Sequence, residues 1–368
     1  MDCFSSKKPK IAIIGLKGLP SFGGAARSIE EILNKLNYYF NFTTYEIESH
    51  AEKEYFLPNV KRIIFKNYKS KRLNTFLYYL KSLYHVLFIE KYDLIHTNHL
   101  YCGFIIPFLK IKYKVINTAH GIIPSDDIKW NKIDKYILKF FESLAIKYSD
   151  KLITVSKCHT SYLKKHNNRE VIFIPNGINI NTNISHCNNC NNGYILFAAA
   201  RIIKLKGLHV LLEALNKINY RQKIIIIGDL EQSKAYKNQI LKISADLNIE
   251  FKGLIRNREL LFKFIKKAKI FIFPSFHEGM SNMLLEVASL QTPIVCSDIM
   301  ENKEIFTEED VLFFKVGNIE DLAEKIIWVE SNMELLKCKA QNAYNKLILE
   351  YNWLKIAEIY KNIYLSLL

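Results

Sequence analysis

Residues 270–286 read Ile270-Phe-Ile-Phe-Pro-Ser275-Phe-His-Glu-Gly279-Met-Ser-Asn-Met-Leu-Leu-Glu286, and this stretch decides the fold. An uninterrupted apolar run over Ile270–Ser275 predicts a strand buried on both faces, as in a parallel sheet. A loop with one glycine follows, and Ser281 opens a helical run. The same unit recurs on either side. Tyr194–Ala200, Lys223–Gly228, Ile249–Gly253 and Pro293–Ser297 read as its neighbouring strands. Earlier in the chain, Lys10–Gly15, Asp93–Asn98, Lys114–His120, Lys151–Ser156 and Val171–Pro175 form a second series. Amphipathic helices such as Arg27–Tyr39 and Asp134–Tyr148 lie between them. Strand–helix alternation of this kind predicts an α/β protein with two doubly wound domains. They are expected at residues 1–180 and 194–368, joined by a linker over 181–193. The last helix, about residues 350–365, is expected to pack back on the first domain.

The break between the series is a change of composition. Asn176–Gly193 holds eight Asn and two Gly and has neither helical nor strand period. Cys187 and Cys190 within it form a single CxxC beside His186, and one pair without a second is a poor zinc site. The 368 residues are enough for two cores, and 49% hydrophobic with 24% charged residues excludes a disordered or fibrous chain. No apolar run approaches the roughly 18 residues needed to cross a bilayer. The start, MDCFSSKKPK, lacks the apolar core of a signal peptide. Seven cysteines fit reduced thiols in a cytosol. The net charge of +16 is uneven: residues 1–180 carry 28 Lys and Arg against 15 Asp and Glu, while 181–368 are nearly neutral. An anionic partner is therefore expected on the first half.

Four segments place chemistry at strand ends, where open α/β sheets bind their ligands. Gly15-Leu-Lys-Gly18-Leu-Pro20-Ser-Phe-Gly23-Gly24 follows the first strand, and its glycines let backbone approach a ligand at a helix start. The spacing is not that of a dinucleotide fingerprint. His120, at the end of Lys114–His120, is placed to donate a hydrogen bond to a sugar hydroxyl or phosphate. Arg201 and Lys206, in Ala200-Arg-Ile-Ile-Lys-Leu-Lys206-Gly207, offer a fork, a point charge and a helix dipole to a diphosphate. Each of these three segments has an equally plain structural reading as a turn, a packed histidine or a solvated basic loop. The fourth is sharper. Glu278 sits in the loop after the strand, and Glu286 in the second turn of the helix, roughly 8 Å further on at about 1.5 Å per residue. Two such carboxylates can hold a sugar ring and a ribose diol, with the amides of Gly279, Met280, Ser281 and Asn282 between them. The plain alternative for Glu286 is a salt bridge to a neighbouring helix.

A further segment, Lys61–His85, carries seven Lys and Arg, no acid, and interleaved Phe and Tyr. It fits an anionic membrane surface, single-stranded nucleic acid, or a surface helix with an aromatic buried face.

Taken together, these segments resemble the retaining glycosyltransferases of family 4, over nearly the whole chain from Lys10 to about Leu365. EGMSNMLLE (278–286) matches the family's Glu, seven residues, Glu pattern. GLKGLPSFGGAAR (15–27), TAHG (118–121), TVSKCHTSYL (154–163), IPNGIN (174–179), ARIIKLKG (200–207), IEFKGLI (249–255) and LFFKVGNIEDLAEKI (312–326) support it. The resemblance implies the GT-B fold, two facing Rossmann-like domains with a C-terminal helix crossing back, and a branch that builds bacterial capsule, O-antigen or exopolysaccharide. It also implies roles. Arg201 and Lys206 neutralise the donor diphosphate, Glu286 binds the nucleotide ribose, and Glu278 contacts the donor sugar beside the amides of Gly279 to Ser281. His120 lies on the acceptor side, and Gly23 and Gly24 lie under the donor phosphates. Two positions depart from the pattern: Ala25-Ala26-Arg27 stands where many relatives carry an acid, and Ala200 replaces a glycine.

The reaction so implied is substitution with retention on one face of a hexose, with a nucleotide-sugar donor (UDP-sugar favoured) and a lipid-diphosphate-linked glycan acceptor. Arg201, Lys206 and helix dipoles would stabilise the leaving group without a metal or other cofactor. Asp126-Asp127 is adjacent rather than spaced as in a metal-binding DxD. The expected location is cytoplasmic, peripheral on the inner face of the plasma membrane, with 61–85 as the contact. The rivals are an epimerase or glycogen-type synthase of the same fold, a catalytically dead membrane scaffold, and a basic nucleic-acid-binding protein. No nucleic-acid-binding signature is present, and the retained Glu278, Glu286, Arg201 and Lys206 argue against a dead site.

Overall fold

The computed structural model describes residues 8–21, 23–68, 70–122, 132–167, 169–179 and 193–368. The chain start, Asp126-Asp127 and residues 181–192 with His186, Cys187 and Cys190 lie outside that set. Two compact units divide the chain: Met1–Asn176 with Trp353–Leu368, and Gly177–Asn352. The division therefore differs from 1–180 and 194–368. The second unit begins at Gly177, and the C-terminal helix belongs with the first unit, the domain against which the last helix was expected to pack.

The first unit is a seven-stranded parallel sheet. Its strands are β1 (Lys10–Lys17), β2 (Asn41–Ile47), β3 (Val60–Phe65), β4 (Leu94–Asn98), β5 (Lys114–Ala119), β6 (Lys151–Thr154) and β7 (Ile172–Phe173). They lie in the order β3-β2-β1-β4-β5-β6-β7. Side chains alternate across β1, so Ile11 and Ile13 enter one core while Ala12 and Ile14 enter the other. The Ile11 side packs on α1 (Gly24–Leu36) and on the C-terminal helix Trp353–Leu365, through Trp353, Ile356 and Tyr360. That helix is tied to the sheet by His96, whose Nδ1 lies 2.7 Å from the Tyr364 hydroxyl and Nε2 2.8 Å from Thr118 Oγ1. Burial lowers the pKa of His96 to about 3, so it bridges the two as a neutral ring. On the Ile14 side lie α2 (Lys71–Tyr84), a one-turn π-helix over His85–Ile89, a 3₁₀ turn over Leu100–Ile105, α3 (Ile106–Leu109), α4 (Lys132–Tyr148) and α5 (Lys157–Asn167).

The second unit repeats the plan with six parallel strands: β8 (Tyr194–Arg201), β9 (Ile224–Asp229), β10 (Ile249–Gly253), β11 (Ala268–Phe273), β12 (Ile294–Ser297) and β13 (Leu312–Phe314). Their order is β10-β9-β8-β11-β12-β13. One face carries α6 (Leu208–Lys217), α7 (Lys234–Ile243) and, further along the chain, the helix Ile319–Ser331. The other carries α8 (Arg258–Lys267) and α9 (Asn282–Ser289). Short α10 (Met300–Lys303) comes before α11 (Ile319–Ser331) and α12 (Met333–Glu350); α13 (Trp353–Leu365) is the helix that joins the first unit.

Several boundaries differ from the sequence reading for plain reasons. The strand expected over Ile270–Ser275 starts at Ala268 and stops at Phe273, because Pro274 has no N–H for the ladder. The strand expected over Val171–Pro175 shortens to Ile172–Phe173, again before a proline. The helix expected from Arg27 begins at Gly24, with Gly23 as its extended N-cap. Segment 61–85 is not one helix: its first five residues belong to β3 and pair with β2.

Candidate functional site

In the second unit, two loops at the carboxyl ends of β8 and β11 are built against each other. The chain leaves β8 at Arg201, makes a 3₁₀ turn over Lys204–Lys206, and enters α6 through Gly207. Gly207 has φ of 71°, and a Cβ there would stand 1.9 Å from the Pro274 carbonyl oxygen, so only glycine permits the approach. The Phe276 amide donates to the Leu205 carbonyl at 2.9 Å and locks the loops together.

This brings Lys206 and Glu278 into contact. Lys206 Nζ lies 2.5 Å from Glu278 Oε1, and the Ser275 hydroxyl donates to the same oxygen at 2.5 Å. Glu278 Oε2 takes no bond from another described residue. The carboxylate is thus clamped by one oxygen and presents the other. Behind it, the Ser297 hydroxyl donates to the Ser275 carbonyl at 2.5 Å, and Asn302 Nδ2 donates to Ser297. Ser275, Ser297 and Asn302 are fully buried, so this chain fixes the loop from inside. Ser281 caps α9 by accepting from the Leu284 amide, while the amides of Gly279 and Ser281 donate to no other described residue. Arg201 is exposed, and its guanidinium makes no ion pair or hydrogen bond with another described residue. A carboxylate, an ammonium, a guanidinium and the N-termini of α6 and α9 therefore lie at the carboxyl end of the sheet, a set suited to a phosphorylated ligand with hydroxyls.

Glu286 is in the second turn of α9, and its Oε1 lies 2.6 Å from Arg258 Nη2 of α8. The salt bridge named as its plain alternative is present, and the other carboxylate oxygen remains for a ligand. Next to Glu278, His277 Nδ1 is 2.9 Å from Glu301 Oε1. Burial opposes charge on His277, but the hydrogen bond and field of Glu301 outweigh it. Glu278 adds to their effect and Lys206 subtracts, so the pKa is raised above 6.5. The stabilisation from this proton is full below about pH 6.5 and is lost as pH rises through the raised value. Glu301→Gln is expected to lower the His277 titration midpoint, read by NMR of its ring protons, and to flatten stability over that window. An unmoved midpoint contradicts the assignment.

In the first unit, Gly23, Gly24 and His120 follow the carboxyl ends of β1 and β5. Gly23 has open space where a Cβ would stand, whereas Gly15 and Gly18 do not: a Cβ would meet the Asn98 carbonyl at 2.5 Å and the His50 carbonyl at 2.1 Å. The glycine loop is held by Glu46, which accepts from the Leu19 amide at 3.0 Å and pairs with Arg62, whose Nη2 donates to the Leu19 carbonyl at 3.0 Å. Arg27 is not aimed at a ligand alone, since it lies 2.7 Å from Glu31 and 3.5 Å from Glu30.

His120 lies beside Asn98 at the carboxyl ends of β4 and β5. Asn98 Nδ2 donates to the Ile14 carbonyl, which turns Asn98 Oδ1 toward His120 Nε2 at 3.3 Å. Assigned from that network, Nε2 carries the proton and the buried Nδ1, with no partner among the described residues, is an acceptor. Burial lowers the His120 pKa to about 4, so the ring is neutral.

Sequence reading missed Ser275, Arg258, Asn98 and the Glu46–Arg62 pair. Ser275 lay inside the 270–286 stretch, Arg62 inside 61–85 and Asn98 at the end of the strand 93–98, but none was given a role there; for Ser275 the hydroxyl one residue past Pro274 was the available signal.

Two family descriptions match adjoining stretches of the chain: Glycosyltransferase Family 4 over residues 22–182 and Glycosyl transferases group 1 over 182–346. An uncharacterized glycosyltransferase of Methanocaldococcus jannaschii, MJ1178, is 27% identical, covering 94% of this chain and 95% of its own. The UDP-Gal:alpha-D-GlcNAc-diphosphoundecaprenol alpha-1,3-galactosyltransferase of Escherichia coli is 24% identical over 98% of each. Among solved structures, Anabaena Alr3699/HepE in complex with UDP and glucose superposes with a TM-score of 0.79 at 17% identity. It covers 98% of this chain and 100% of that one, a likeness of fold.

Proposed function

Because the chain belongs to glycosyltransferase family 4 and has the GT-B fold, we propose that it moves a hexose, with retention, from a UDP-sugar to a lipid-diphosphate-linked glycan. It is a glycosyltransferase of polysaccharide biosynthesis. The observation that carries the finer reading is the Glu278 carboxylate, clamped through one oxygen by Lys206 and Ser275 in the loop before α9. In the proposed reaction the free oxygen of Glu278 orients the donor sugar. Arg201 and Lys206 neutralise the departing diphosphate, with the amides of Gly279 and Ser281 on oxygens beside it. Lys206 then lies between a carboxylate it already holds and a diphosphate, so donor binding draws on a charge fixed in advance. Glu286, steadied by Arg258, takes the ribose, and neutral His120 accepts from a sugar hydroxyl through Nδ1. The cations supply the charge that a metal supplies elsewhere, and metal independence is part of the proposal.

The donor and acceptor classes draw on the relatives: the E. coli enzyme's name carries UDP-Gal and a diphosphoundecaprenol acceptor, and the Anabaena structure carries UDP. An acceptor of that kind places the reaction at the inner face of the plasma membrane. The test incubates the protein with UDP-hexoses and a prenyl-diphosphate-linked sugar, then reads the anomeric proton coupling of the product by NMR. Transfer with the donor's configuration supports the proposal. Inverted product, no transfer, or transfer that EDTA abolishes and added metal restores contradicts it.

A further inference from the structure

We propose that the outer faces of α2, α3 and α4 together form a docking surface for an anionic lipid bilayer. This rests on and deepens the reading that the acceptor is lipid-linked, and extends the contact from α2, within segment 61–85, to α3 and α4.

Surface helices usually carry one apolar stripe, turned to the core. Two helices here carry a second one, turned to solvent. On α4, Ile133, Tyr136, Ile137 and Phe140 recur at helical spacing and are all exposed, Tyr136 by 79% and Ile133 by 71%. On α2, Leu73, Phe76, Leu80 and Tyr84 do the same, although Tyr78, Tyr79 and Ser82 of that helix are buried. Single exposed apolar residues need no explanation, but periodic and contiguous ones do. These are contiguous: the Phe76 ring stacks on Phe104 at 5.4 Å, and Phe104 meets Phe141 of α4 at 4.8 Å. Phe108 of α3 and Ile111 just beyond it extend the patch, Ile111 with 82% exposure. At its edge, a groove of about 310 Å³ lies between α2 and the π-helix, lined by Phe65, Leu80, Lys81, Tyr84, His85 and Ile89.

Charge selects the occupant. Residues 71–89, 100–113 and 132–148, which supply this layer, hold nine Lys and Arg against two acids. Residues 24–36 and 353–365, the helices on the opposite face of the same sheet, hold four against three. Apolar and aromatic side chains among lysines match an acyl–headgroup boundary with anionic lipid. Lys81 Nζ lies over the Tyr68 ring at 4.7 Å and Lys112 Nζ over the Tyr113 ring at 5.3 Å, so cations stand against aromatic rings beside the patch. A second copy of the chain fits poorly, because a two-fold contact would set the same cationic face against itself. Single-stranded nucleic acid would use the rings and lysines but leave Ile133, Ile137, Leu73 and Leu80 without a role. Among the described residues no helix is long and apolar enough to cross a membrane, so the contact proposed is with the surface of the bilayer.

Flotation of the full chain tests this, with vesicles of phosphatidylcholine mixed with phosphatidylglycerol and of phosphatidylcholine alone. The protein is expected to float with the anionic vesicles and far less with the neutral ones. Tyr136→Ser with Ile137→Ser, and separately Leu80→Ser with Tyr84→Ser, are expected to lower that binding by about tenfold or more. Lys135→Glu with Lys139→Glu should weaken binding to anionic vesicles alone. All six positions lie outside the transfer site, so thermal midpoints and nucleoside diphosphate binding should stay as in the wild type. Unchanged flotation of both apolar variants overturns the proposal, as does equal binding to neutral vesicles. So does a dimer that these substitutions convert to monomer, or a single-stranded oligonucleotide complex that they abolish. Vesicle binding uses neither donor nor acceptor, so its failure leaves the transfer reaction to be judged separately.

Discussion

Glu278→Gln is expected to lower kcat/KM for sugar transfer by about 10²–10³-fold while nucleoside diphosphate affinity changes little, the scale of losing one preorganised electrostatic contact. The substitution keeps the shape and removes the charge. Glutamine cannot accept equally from Lys206 and Ser275 while presenting a second charged oxygen to the donor, so the sugar loses its orienting partner. The diphosphate keeps Arg201, Lys206 and the N-terminus of α9. Because binding of the nucleotide and positioning of the sugar rest on different groups, the two readouts should separate. Ser275→Ala is the milder form of the same test: Lys206 still holds Glu278 Oε1, but the buried hydroxyl that fixes its rotamer is gone. It should lower kcat with little change in donor KM. Steady-state kinetics alongside nucleoside diphosphate titration decide both, and wild-type turnover in Glu278→Gln contradicts the role given to that residue.

Arg62→Ala is expected to destabilise the first unit by about 3–5 kcal/mol, the cost of leaving a buried charge without its partner. Glu46 is 0% exposed and Arg62 9%, and the pair is bidentate, Nε to Oε1 at 2.8 Å and Nη2 to Oε2 at 2.6 Å. Arg62 also donates to the carbonyls of Leu19, Glu52 and Tyr55, so its loss strips three acceptors at once. The Leu19 contacts belong to the glycine loop, and the variant should bind its ligands there more weakly even when folded. Denaturant unfolding measures the stability. Arg62→Met with Glu46→Leu should recover part of the loss, since no charge is then left buried. A single-variant loss below about 1 kcal/mol would mean that water or another cation compensates Glu46.

The parts of this molecule set by short-range rules were legible in its sequence. Apolar runs without alternation gave parallel strands, and Gly207 and Ser281 punctuated the loops that carry Lys206 and Glu278. What was not legible depends on contacts between distant segments. Nothing near Glu286 announces Arg258, twenty-eight residues earlier on another helix. Nor does the sequence show that Asn98, on the adjacent strand, turns its Oδ1 toward His120 Nε2. Which residues of α13 make the contact was not legible either: Trp353, Tyr360 and Tyr364 find their core against β1, β2 and His96. The stripe on α4 has the same spacing as a buried one. Only the packing shows that Ala145 and Ile146 of that helix meet the core while Tyr136 and Ile137 meet solvent.

The central claim is that a nucleoside diphosphate is held by Arg201, Lys206 and helix dipoles without a metal. It is tested most directly by thermal shift with UDP, GDP, dTDP, ADP and CMP, each with and without EDTA. Ligand at about a hundred times its dissociation constant adds about 2.7 kcal/mol to stability, an easily measured rise in midpoint. The account predicts a rise selective for UDP, unchanged by EDTA, and lost in Arg201→Ala. No rise with any of the five, or a rise that EDTA abolishes, contradicts it.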